Sequence, residues 1–112
     1  MQTGRCQCGE IRYESIGESL GLFICHCLEC QKQSASAYGI TLDVPRAGFR
    51  VTQGTPKYWS RVTDSGKNLK CAFCPSCGSR LWHEYESTSE KTISIKAGSL
   101  DEPVDVSNAI HV

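Results

Sequence analysis

Seven of the eight cysteines in this chain fall into three tight groups: Cys6 with Cys8, Cys25 and Cys27 with Cys30, and Cys74 with Cys77. Packing gives no reason for such clustering, whereas metal ligation requires it. In extended backbone, residues two apart project to the same face, so Cys6 and Cys8 reach one ion together. In Cys74-Pro75-Ser76-Cys77-Gly78 a tight turn aims two sulfurs at one point. Pro75 fixes that turn, and Gly78 supplies a conformation other residues resist. Two such pairs, far apart in sequence, provide the four thiolates of a closed tetrahedral zinc site. The plainer alternative is four buried thiols acting as small apolar side chains.

The central group follows the same geometry with one thiol fewer. Cys25 and Cys27 share a face, His26 between them points elsewhere, and Cys30 returns after one helical turn. Three donors and an open position form the pattern of a zinc that binds a further ligand. Three thiolates leave a single zinc ion with net negative charge, which suits it to hold an incoming thiol as thiolate. Cations are expected nearby, with Lys32, Lys67 and Lys70 as candidates.

Gross features narrow the classes. Length suits one domain spanning residues 1–112. Lys plus Arg equals Asp plus Glu, at twelve each, so no global field draws in nucleic acid. No segment approaches the roughly 18 apolar residues of a membrane span, and the N-terminal residues lack a signal peptide's apolar core. The expectation is a cytoplasmic protein with reduced thiols, no membrane partner and no nucleic-acid partner.

Turn signals recur along the chain without sustained helical periodicity, which predicts a mainly β fold. Several antiparallel strands and one short helical turn are expected. Strands are expected at residues 10–15, 22–27, 38–44, 49–52, 57–62, 69–73, 80–85, 92–97 and 109–112. Residues 28–35 form the helix candidate and 86–90 a polar loop. Ser34 and Tyr38 follow the central group, the first as a helix or turn residue and the second as core. Phe73, Trp82 and Tyr85 are expected to pack beside the second knuckle.

These residues together resemble the family of glutathione-dependent formaldehyde-activating enzymes and centromere protein V. The resemblance is carried by the Cys-x-Cys within Gly4 to Gly9 and by Cys25-His26-Cys27-x-x-Cys30-Gln31-Lys32. It continues through Ser65-Gly66, Phe73-Cys74-x-x-Cys77-Gly78-Ser79, Leu81 and Trp82, then Ala97 to Pro103 and His111. It implies a small zinc-binding β domain with two zinc ions per chain. Cys6, Cys8, Cys74 and Cys77 would hold a structural ion, and Cys25, Cys27 and Cys30 a catalytic one. The implied activity is of the carbon–sulfur lyase type, the S-hydroxymethylglutathione synthase reaction. Its partners are a small thiol, glutathione, and an aldehyde, formaldehyde.

Two departures bear on this. The sequence stops just after His111, where the family commonly continues with aromatic residues, so a pocket here is expected to be shallower or completed by a second subunit. Cys71 stands where the family often has a basic residue. It would either close the central site as a fourth ligand or be a spare thiol. A closed site would suit a different class of protein, a two-zinc module without chemistry that binds a protein partner.

Overall fold

The computed structural model describes residues 1–87 and 91–112. Strands are the commonest element, in the order β1 (Gln2–Arg5), β2 (Arg12–Ser15), β3 (Gly21–Cys25), β4 (Gly39–Pro45), β5 (Phe49–Gln53), β6 (Lys57–Val62), β7 (Asn68–Phe73), β8 (Arg80–Tyr85), β9 (Thr92–Lys96) and β10 (Ile110–His111). One α-helix, α1 (Leu28–Ser34), follows β3. The mainly β expectation therefore holds. Of the polar stretch 86–90, Glu86 and Ser87 form a bend and the rest lies outside the described residues.

Two sheets share the core. The smaller runs β1-β2-β5 and the larger β10-β3-β4-β9-β8-β7-β6. Every pairing is antiparallel except that of β10 with β3, which is parallel. The chain crosses from one sheet to the other at Gly54, whose φ of 81° is open to glycine at little cost. The alternation of the central strands then decides which residues go inside. Leu42 lies opposite Ile95 and Val44 opposite Ile93, and all four are buried. With Trp82 they pack against Tyr13 and Phe49 of the smaller sheet, with Trp82 set edge-on to both rings.

The opposite face of the larger sheet carries the next residues in each strand. Cys25 pairs with Gly39, Thr41 with Lys96, His83 with Ser94, Cys71 with His83 and Trp59 with Cys71. Because side chains alternate along each strand, Cys25, Lys96, His83, Cys71 and Trp59 share one face. Beside it lies α1, which contacts β4. The protein thus has a greasy side sealed by the smaller sheet and a polar side bordered by a short helix.

Boundaries differ from expectation where ligand turns intervene. The second strand begins at Arg12 rather than Glu10, because the Ile11 N–H donates to Cys6 Sγ and its carbonyl accepts from the Cys6 N–H. The third ends at Cys25 rather than Cys27, because its ladder with β4 stops at Gly39. Cys27 keeps extended backbone and caps α1 by accepting the Cys30 N–H at 3.4 Å. Glu29 in the first turn and Lys32 in the last both suit the helix dipole, and Ala35 ends the helix in the left-handed region.

Candidate metal and thiol site

The outer cysteine pairs meet where the N-terminal segment crosses the β7–β8 turn. Cys6, Cys8, Cys74 and Cys77 place their sulfurs within 4.8 Å of one another. Each pair sits in a knuckle closed by a glycine of positive φ. Gly9 donates its N–H to the Cys6 carbonyl, and Gly78 donates to the Cys74 carbonyl at 2.9 Å. Backbone N–H groups of Ile11 and Ser76 point at the sulfurs of Cys6 and Cys74. The Ser79 hydroxyl lies 3.2 Å from Cys77 Sγ and, with its own N–H, draws that thiol down to about 5. Neighbouring thiols push Cys8 up to about 12 and burial raises Cys74, so the four become thiolates together only around a cation.

The central thiols form a second group. Cys25, Cys27 and Cys30 also lie within 4.8 Å of one another, and no fourth donor joins them among the described residues. The Cys30 N–H beside Cys27 holds the Cys27 thiol below the usual cysteine range. Burial, then the neighbouring Cys25 and Cys27 sulfurs, push Cys30 up to about 12. Three thiolates so close together would need a cation among them.

A metal ion fits both groups. Two thiolates on one tetrahedral zinc lie about 3.8 Å apart, given bonds of about 2.3 Å. The sulfur separations are 3.5 Å for Cys6–Cys8, 3.7 Å for Cys8–Cys74 and 3.4 Å for Cys25–Cys27. An all-sulfur donor set selects zinc or another soft cation over magnesium or calcium. Cys71 belongs to neither group. It is fully buried, and its thiol faces the Leu69 carbonyl. His26 also lies outside the thiol group, with Nε2 2.9 Å from Nδ1 of His111 and the two rings stacked.

One cavity opens at the central thiols, and a larger one adjoins it across Gln33, Arg80 and Lys96. The smaller, about 280 Å³, has Cys30 in its wall with Trp59, Arg61 and His83. The larger, about 770 Å³, is within the usual size range of ligand pockets and runs past Ser34 and Tyr38 towards Arg5 and Ser99. Tyr38 is 42% exposed and lines this cavity, so the expectation of a core residue is corrected. The Ser34 hydroxyl donates to the Cys30 carbonyl, as a helix residue does. Trp82 is core, and Phe73 and Tyr85 line neither cavity.

The cations facing this region are mostly not those the sequence suggested. Lys67 and Lys70 lie over the rings of Tyr85 and Tyr58. Lys32 does reach the smaller cavity. Lys96 and Arg80 line both cavities, a place the sequence does not reveal, because alternation alone marks Lys96 as the solvent face of an ordinary strand. Burial lowers the Lys96 ammonium, while Cys30 opposes that shift.

His83 records the same electrostatics. Burial first, then Lys96, Arg80 and Arg61, press its imidazole down to about 3. An unfolded histidine titrates near 6.5. Between those values the unfolded chain binds a proton that the folded state refuses. Stability from this group is therefore complete above about pH 6.5 and falls as pH drops towards 3. From about pH 6.5 to about pH 5, His83→Gln should lose less stability than the wild type, by about 2 kcal/mol. Urea unfolding at the two pH values measures this, and equal losses would contradict it.

The Ala97–Pro103 segment locks the N-terminal strand over the larger cavity. Thr3 donates its hydroxyl to Asp101, the Asp101 N–H donates to the Thr3 carbonyl, and the Tyr13 and Ser99 hydroxyls bond at 2.6 Å. A side chain at Gly4 would overlap the Tyr13 ring and the Ser99 carbonyl.

A family model described as glutathione-dependent formaldehyde-activating enzyme matches residues 1–112. A crystal structure of a Rhodobacter sphaeroides protein superposes with a TM-score of 0.72 at 21% identity, covering 98% of this chain and 99% of that one. At that identity the likeness shows the fold. No curated protein matches the sequence significantly.

Proposed function

The chain belongs to the glutathione-dependent formaldehyde-activating enzyme family, and from that premise we propose that it joins a glutathione-type thiol to formaldehyde, or releases it, at Cys25, Cys27 and Cys30. Cys6, Cys8, Cys74 and Cys77 serve as the structural site. The observation that carries this reading is the three-thiol group whose Cys30 forms part of a cation-lined cavity wall, with no fourth donor beside it among the described residues.

When bound by the three central thiolates, zinc supplies a positive centre that keeps a further thiol deprotonated near neutral pH. The cavity residues do the rest. Lys96 and Arg80 draw in an anionic thiol compound. The aldehyde enters the space beside Cys30. The sulfur attacks the carbonyl carbon, one C–S bond forms, and the carbonyl π pair moves to oxygen. That oxygen takes up the proton the thiol gave up, which closes the balance as a hemithioacetal. The reverse sequence breaks the C–S bond and returns thiol and aldehyde.

The position of Cys71 favours this over a closed, non-catalytic module, since its thiol lies outside the group and faces a backbone carbonyl. Exchange spectroscopy of labelled formaldehyde with glutathione tests the proposal. The protein should speed exchange above the uncatalysed rate in proportion to its concentration. A rate indistinguishable from buffer would refute it.

A further inference from the structure

The two cavities share a wall, and that wall is underused. Gln33 of α1, Arg80 of β8 and Lys96 of β9 line both. Both amide atoms of Gln33 and the Nε of Arg80 are shut off from solvent without a hydrogen-bond partner. Lys96 is only 8% exposed, and among the described residues no carboxylate pairs with its ammonium. Native proteins rarely leave buried polar atoms unmet, and here those of Gln33 and Arg80 converge beside the Lys96 ammonium. The nearest acid of the larger cavity, Asp101, is held by Thr3. The acid of the smaller cavity, Glu29, belongs to the first turn of α1.

The chemistry of the missing partner can be read from these groups. Lys96 and Arg80 ask for an anion whose oxygens accept from both. Gln33 presents a donor and an acceptor together, which complements a peptide group. We propose that Lys96, Arg80 and Gln33 form a subsite for the terminal carboxylate and adjoining peptide unit of a peptide thiol. This rests on the thiol-binding reading above and adds to it what selects the thiol. The sulfur is steered to Cys30 because the carboxylate is held at the wall between the cavities. Simple thiols without a carboxylate lack that hold.

S-methylglutathione separates this subsite from the metal, since its blocked sulfur cannot act as a thiolate while its carboxylates are intact. Trp59, 55% exposed and in the smaller cavity, reports binding by fluorescence. The wild-type protein should bind S-methylglutathione saturably. Lys96→Met should weaken it about tenfold or more, and Lys96→Arg should retain most of it. The glycyl ethyl ester should bind the wild type as poorly as the acid binds Lys96→Met, and Arg80→Gln should weaken the acid too. Equal affinity for acid and ester, an unchanged Lys96→Met variant, or no binding to the wild type would each overturn the subsite. Charge-dependent S-methylglutathione binding without any faster formaldehyde exchange would keep the subsite and discard the thiol chemistry. Faster exchange indifferent to Lys96→Met would do the reverse.

Discussion

Cys74→Ser is expected to abolish the cooperative thermal transition of this protein. Cys74 is fully buried at the start of the β7–β8 turn, and its sulfur lies 3.7 Å from Cys8 in the N-terminal knuckle. A mere packing change from sulfur to oxygen would cost about 1–3 kcal/mol. Loss of a structural zinc removes on the order of 10 kcal/mol, against a total stability of about 5–15 kcal/mol for a domain. The second magnitude decides the outcome, because the four thiols join the first turn of the chain to the hairpin. Circular dichroism on heating, paired with zinc analysis, reads the result. A melting temperature within a few degrees of wild type would show that the outer group does not hold the fold.

Cys27→Ser is expected to give the opposite pattern: an intact fold with no second-site metal and no acceleration of formaldehyde exchange. Cys27 is exposed, and its local structural duty is to cap α1 by accepting the Cys30 N–H. Serine performs that duty well, so the helix should lose less than about 1 kcal/mol. A metal held there would lose one of three thiolate donors, and no replacement lies beside them among the described residues. Zinc per chain should fall from two to one while the melting curve stays near wild type. Equal unfolding of the Cys27 and Cys74 variants would reverse the division of roles between the two groups.

Much of this was legible from spacing because the chemistry is local. A Cys-x-Cys or Cys-x-x-Cys turn brings two sulfurs together wherever it occurs, and Gly78 takes the positive φ its place in the knuckle required. The alternation of Ile93 and Ile95 likewise marks an inward face, which the larger sheet buries. Illegible features depend on partners distant in sequence. The first strand, Gln2–Arg5, has no apolar alternation because only Gly4 is buried in it, against Tyr13. The parallel pairing of β10 with β3 and the stacking of His111 on His26 follow from where the chain returns, not from local pattern. Lys96 reads as solvent-facing by alternation, yet α1 and the neighbouring strands bury it at the cleft. The same blindness hid Arg80 and Gln33, whose importance lies in partners they lack.

The account turns on an open position at the central thiols, and zinc-edge X-ray absorption of the purified, zinc-loaded protein tests it most directly. Before glutathione, the averaged zinc coordination should fall short of eight sulfurs over two ions, with a lighter donor at one of them. Addition of glutathione should replace that donor by sulfur, and Cys27→Ser should abolish the change. Two ions each already held by four protein sulfurs, with spectra unaltered by glutathione, would contradict it.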